Sequence, residues 1–243
     1  MTEPAPLPPE TAALAERHRL GPLRASYALR RYDRQDIIAY SLVVLLGLAV
    51  FVLPGLVLIW MATRSPNLSR KQAAKRLCLF EEGLIAPATF GGRVVVARWG
   101  SLTLHQAVTR HMVSQDVSMG TTYRYSLRTR AGARAEITEA YEGAGIWGSW
   151  IPDAITRAQA PAVLDAVRDG RRVTFGRFTV CARGVTTARK GLLPWRQVGE
   201  IRVSAGRMVV RRSGRTRPWA STAVWNVPNC QVFLTVAESL RGR

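Results

Sequence analysis

One run of residues without a charge, 37–63 (IIAYSLVVLLGLAVFVLPGLVLIWMAT), constrains this chain more than any other feature. A bilayer core is about 30 Å thick and about 20 apolar residues in a helix span it, so the run is long enough to cross with some tilt. A buried helix of a soluble protein is rarely so long and apolar on every face. A cleaved signal peptide would have a shorter apolar region, followed by small residues. Tyr40 and Trp60 fall near the two ends, where amphipathic rings favour the headgroup level. The run predicts a single N-terminal transmembrane helix of the signal-anchor kind, kinked at Pro54-Gly55. A re-entrant hairpin turning at Pro54-Gly55 is the alternative.

The flanks are basic on both sides, with Arg24, Arg30, Arg31 and Arg34 before the run and Arg64, Arg70, Lys71, Lys75 and Arg76 after it. The positive-inside rule therefore gives a near tie. The absence of disulfide logic places the region after the anchor in the cytoplasm of a single-pass cell-membrane protein. The divisions expected are a polar, partly disordered tail (1–36) with a short helix over 10–20, the transmembrane helix (37–63) and a linker (64–75). Two soluble units (76–170 and 171–243) follow.

Lys and Arg number 35 against 16 Asp and Glu, a net charge of +19. Such a field favours anionic partners, whether lipid headgroups, nucleic acid or an acidic protein. The Arg, Ala and Gly bias also suits a GC-rich bacterial genome, so part of the Arg content is codon drift. Cys78, Cys181 and Cys230 are odd in number and far apart, with no metal spacing or disulfide framework. They read as buried thiols.

After residue 75 the pattern is strand-rich. Short apolar runs are separated by turn signals at Glu81-Glu82-Gly83, Gly91-Gly92 and Ala131-Gly132, and a helix over 151–167 restarts at Pro161. From Arg172 a second series of strands begins and ends in a helix over about 226–240. The two series look like one unit used twice. LFEEGLI (79–85) parallels VCARGVT (180–186), RWGSL (98–102) parallels PWRQV (194–198), and 127–132 parallels 209–214. A fourth match sets 150–153 beside 226–229. Gly83 and Gly184 read as hairpin positions needing positive φ.

This order of strands, Gly83 and Trp99 in one copy and Gly184 and Trp195 in the other, resembles bacterial pleckstrin-homology-like (PH-like) domains. With LFEEGLI, RWGSL, TFGRFTV and PNCQVFL, the whole chain is similar to an uncharacterised membrane-protein family of high-GC bacteria built as tail, anchor and tandem PH-like units. The resemblance implies a mainly-β (α+β) soluble region of two small partly open β-barrels or sandwiches, each closed by a C-terminal helix. It implies no activity.

No P-loop or dinucleotide pattern is present. His105 and His111, with Asp116, are the one conceivable metal set, and an ordinary strand surface explains them better. His18 stands alone, and Asp153, Asp165 and Asp169 read as a solvated helix face. Trp147 and Trp150, like Trp219 and Trp225, read as core rather than as bilayer contacts. In PH-like folds the loop between the first two strands often carries ligand-binding cations, which points to Arg189 and Lys190. Arg207, Arg211, Arg212, Arg215 and Arg217 on a later hairpin complete the candidate anionic-ligand surface. No catalytic residue, cofactor or metal is expected. The function expected is a membrane-anchored, non-enzymatic binding or scaffold protein whose PH-like pair meets a protein partner or anionic lipid headgroups at the bilayer. The alternative is nucleic-acid binding by the basic region, for which Trp219 is the one nearby aromatic.

Overall fold

Strand β1 (Leu23–Tyr27) precedes the apolar run in sequence and β2 (Leu77–Phe80) follows it, yet the two are hydrogen-bonded antiparallel, with Tyr27 opposite Leu77. A computed structural model of the chain describes residues 7–29, 76–89, 94–114 and 117–242, with Leu42 and Trp60, the side chains of 109–120 excepted. The β1–β2 ladder overturns the single-pass expectation. One crossing by residues 37–63 would leave the two strands on opposite sides of a bilayer, where they could not exchange hydrogen bonds. Among the described residues, no helix is long and apolar enough to cross a membrane. Residues 37–63 themselves, Leu42 and Trp60 apart, lie outside the described residues, as does the Pro54-Gly55 turn. The transmembrane anchor and the single-pass cell-membrane localisation drawn from it are thereby corrected.

The chain begins with α1 (Pro9–Arg17), where the fixed φ of Pro9 suits a first helical position. After β2 come β3 (Gly83–Pro87) and β4 (Val94–Arg98), which complete a sheet in the order β1-β2-β3-β4. A second sheet holds β5 (Thr103–Ser114), β6 (Val117–Arg128) and β7 (Arg134–Thr138), and α2 (Ala144–Arg168) follows. The series then recurs. Strands β8 (Val173–Phe175), β9 (Phe178–Cys181), β10 (Gly184–Thr187) and β11 (Gly191–Pro194) form one sheet. Strands β12 (Val198–Ser204), β13 (Arg207–Arg212) and β14 (Pro218–Ala223) form the next, before α3 (Cys230–Arg241).

The expected barrels are not what forms. Among the described residues the strands make four separate antiparallel sheets. In each half a 3-10 turn, Trp99–Ser101 or Trp195–Gln197, follows the fourth strand and redirects the chain, so the fifth strand does not pair with it. The two turns match in detail. Trp99 Nε1–H donates to the Phe80 and Glu81 carbonyls at 3.2 and 3.1 Å, and Trp195 Nε1–H to the Cys181 carbonyl at 3.1 Å. Gly83 and Gly184 also correspond, though for another reason than expected. Neither has a positive φ. A Cβ on Gly83 would lie 2.2 Å from the Ala97 carbonyl oxygen, and one on Gly184 2.1 Å from that of Leu193. The close approach of the neighbouring strand, not a turn, excludes a side chain. The fourth sequence match does not hold in space, since Trp150 lies inside α2 whereas Asn226 ends a 3-10 turn ahead of α3.

Helix α2 runs unbroken through Pro152 and Pro161. Trp147 is fully buried against Tyr123 and Tyr125 in the core, and Trp150, partly buried, packs against that core and meets Trp99 edge-on at 5.4 Å. One apolar core continues through both halves, with Phe175 and Phe178 packed on Phe233 of α3. Asn229, just ahead of α3, fastens the halves together. Its backbone N–H donates to the Leu104 carbonyl (2.8 Å) and its Oδ1 accepts from Leu104 N–H (2.7 Å), so it pairs with β5 much as a strand residue would. Its Nδ2 donates to Leu102 O and to Gln159 Oε1, and Gln159 Nε2 donates in turn to Trp99 O and Leu102 O.

Candidate anion-binding groove

The expected cations divide into three groups. Arg189 and Lys190 stand exposed on the β10–β11 turn, where Lys190 N–H donates to Thr187 Oγ1 at 3.2 Å. Arg207 opens β13, and its Nε–H donates to Ser221 Oγ on β14 at 3.0 Å. Arg212, Arg215 and Arg217 lie exposed around the far turn of the same hairpin, at the opposite end of β13 from Arg207. Arg211 is already committed. It sits 2.9 Å from the Glu200 carboxylate, which also holds Arg202 at 3.0 Å. The seven residues therefore do not form one site.

The turn carrying Arg189 and Lys190 instead borders a groove of about 580 Å³. Its other walls are the β8–β9 turn, which contributes Gly176 and Arg177, and residues 218–222 of β14. Strand β14 ends its sheet, so one side of its backbone is not in the ladder. Arg177 is exposed, as Arg189 and Lys190 are, and none of the three has an ion pair among the described residues. Among the described residues, no acidic side chain lines the groove. Three cations from two turns thus face hydroxyls and backbone of an edge strand, the donor set that suits a phosphate or carboxylate oxygen. Trp219 lines the groove but is only 8% exposed, and so offers no open face for a base to stack on. Sequence reading missed Arg177. Its signal was the two-residue Gly176-Arg177 turn between Phe175 and Phe178, which pair across the hairpin.

The other candidate chemistry is structural. His105 Nδ1–H donates to the Trp225 carbonyl at 2.8 Å, and its ring lies 5.8 Å from that of Trp225. The His111 side chain and Asp116 lie outside the described residues. Among the described residues no group of three His, Cys, Asp or Glu could hold a metal ion. Asp165 and Asp169 are exposed and paired with Arg168 and Arg171. Cys78 and Cys230 are buried, while Cys181 is partly exposed.

No curated protein matches the chain, and no solved structure does. The family model described as "Family of unknown function (DUF6585)" matches residues 8–242, taking in α1, both series of strands and α3. This chain belongs to that family of unknown function.

Proposed function

We propose that this protein is a non-enzymatic binding module whose second half captures an anionic, phosphate-bearing group in the groove between the β8–β9 turn, the β10–β11 turn and β14. The observation carrying this reading is that Arg177, Arg189 and Lys190 line one groove that has no acidic lining residue among those described. Four strands, three strands and a helix, used twice, is also the order of elements in tandem PH-like units, and in such folds the loop between the first two strands, here the β8–β9 turn with Arg177, often carries ligand cations. The bound group is the headgroup of an anionic lipid or a soluble phosphate ester. A nucleic acid fits less well, because Trp219 is buried beneath the groove instead of standing open beside it.

Each charge-assisted hydrogen bond contributes roughly 1.5–3 kcal/mol when formed. Titrating the full chain with inositol trisphosphate and with inorganic phosphate tests the reading by calorimetry. Arg177→Glu combined with Lys190→Glu is expected to weaken the first by at least about tenfold, and binding should fall as salt rises. Vesicles containing phosphatidylglycerol separate the headgroup source from the soluble one. Binding that survives the double charge reversal would rule the groove out.

A further inference from the structure

The outer face of the first four-stranded sheet carries a cross-strand row, Cys78–Ile85–Val96, fixed by the pairings Cys78↔Ile85 and Ile85↔Val96. Pairing in the second half puts Thr179–Thr186–Leu192 in the same row, through Thr179↔Thr186 and Thr186↔Leu192. Phe80 and Cys181 take matching places at the ends of β2 and β9, three residues before Gly83 and Gly184. In the first half this face is roofed by α1 and the turn after it. Ala15 and Leu20, with Leu14, close over Cys78, Phe80 and Ile85 and leave Cys78 and Ile85 only 2% exposed.

Among the described residues, the second half has no such roof. The helix that precedes β8, as α1 precedes β1, is α2, and its apolar side is taken up by the shared core through Trp147, Ile151 and Ile155. The row Thr179–Thr186–Leu192 and Cys181 instead line an open groove of about 640 Å³, and Leu192 is 37% exposed. The charge around it is reversed as well. The β2–β3 turn holds Glu81 and Glu82, each neutralised at 3.1 Å, by Arg24 and Arg98. The β9–β10 turn holds Ala182 and Arg183 in their place. Arg172 and Arg183 border the groove, and among the described residues no acidic side chain lines it. Asp169, beside it in sequence, is paired with Arg171.

We propose that this face is a docking surface for a short acidic amphipathic helix of a partner protein, seated where α1 sits in the first half. The scaffold already packs a helix of nine residues on the equivalent face. Apolar residues at helical spacing would fill the strip over Leu192 and Cys181, and carboxylates on the flank would meet Arg172 and Arg183. Two threonines where the first half has Cys78 and Ile85 let the face meet water when empty, which suits reversible docking. The site shares Thr179, Thr187 and Ala188 with the wall of the phosphate groove but none of that groove's three cations, and the proposal does not rest on phosphate binding there.

The probe is a labelled peptide of residues 9–20 carrying Arg17→Glu, His18→Glu and Arg19→Glu, followed by fluorescence anisotropy against the full chain. A control peptide carries Lys at the same three positions. Saturable binding of the acidic peptide is expected, at least about tenfold tighter than the control. It should weaken about tenfold in Arg183→Glu and in Leu192→Asp, and stay unchanged in Arg134→Glu, an exposed cation on β7 in the first half that lines neither groove. Arg183 is exposed, so its variant folds even if Leu192→Asp does not. No saturable binding at about 1 mM peptide, equal binding of the two peptides, or binding indifferent to Arg183→Glu would each overturn the proposal. The last would also be the signature of a peptide displacing α1 from the first half. Self-association of the chain, or vesicle binding, abolished by Leu192→Asp in place of peptide binding would likewise overturn it.

Discussion

Among the described residues, the outer face of the four-stranded sheet is sealed in the first half of the molecule and open in the second. The strand order, the register and the paired glycines and tryptophans agree between the halves. What differs is what the chain does before and between the first two strands. Ahead of β1 it supplies α1, while ahead of β8 it supplies a helix already committed to the core. Between β8 and β9 it makes a two-residue turn, with Phe175 opposite Phe178. Between β1 and β2 it carries residues 28–76, including the whole apolar run, and returns to place Leu77 opposite Tyr27. A shared ladder fixes core geometry, and the segments attached to it decide which faces stay available. The apolar run thus falls within one inter-strand connection, and the strands before and after it pair in one sheet.

Cysteine reactivity should show the contrast most strongly. Burial pushes the Cys78 thiol up, against the opposing influence of the Ser26 hydrogen bond and Arg76, and lifts Cys230 to about 12. A raised pKa means less thiolate at a given pH, so both should be nearly inert near pH 8. Cys181, partly exposed on the open face, should be alkylated first, by roughly two orders of magnitude in rate. Removing residues 1–20 should bring Cys78 towards the rate of Cys181, as read by mass spectrometry of alkylated peptides. A Cys78 that stays protected would mean that α1 is not what covers it.

Gly83→Ala and Gly184→Ala should destabilise the protein by similar amounts, about 3 kcal/mol in urea melts, because each Cβ meets a backbone carbonyl that cannot swing away. A large disparity would mean that the halves are not equivalent at this position. Asn229→Ala should cost roughly 2–3 kcal/mol by orphaning Leu104 N–H and Gln159 Oε1. It should destabilise both halves together, and tryptophan and far-UV melts that separate would show them to be independent. Trp99→Phe and Trp195→Phe should each cost about 1 kcal/mol from the lost indole hydrogen bond, in addition to any packing change. The Trp99 variant should be the larger effect, since its N–H serves two acceptors.

Much of the repeat was legible in the residues. A glycine three to four residues after an apolar strand, then a tryptophan at the next strand end, marks both copies because steric exclusion and an indole hydrogen bond act locally. Arg189 and Lys190 were legible as turn cations, but their turn joins the third and fourth strands of the second half and not the first two as expected. Three things were not. The sequence around Leu23–Tyr27 gives no hint that its ladder partner lies beyond the apolar run, since pairing across some fifty positions leaves no local periodicity. The neutralisation of Arg211 depends on Glu200 standing opposite it across two strands. Arg177 joins Arg189 and Lys190 only because two turns of different hairpins open onto the edge of β14.

By itself, then, the sequence determined the duplicated order of strands and helix, the basic character of the second half, and the existence of a long uncharged segment, all of which depend on composition and short-range spacing. It took the folded chain to show that the strands on either side of this segment pair in one sheet, that four sheets form where two partly open barrels or sandwiches were expected, and which of the described cations have no ion pair. Those outcomes depend on which strand edges, faces and charges satisfy one another across long stretches of chain, and hydrogen bonds and burial of that range exist only once the chain has folded.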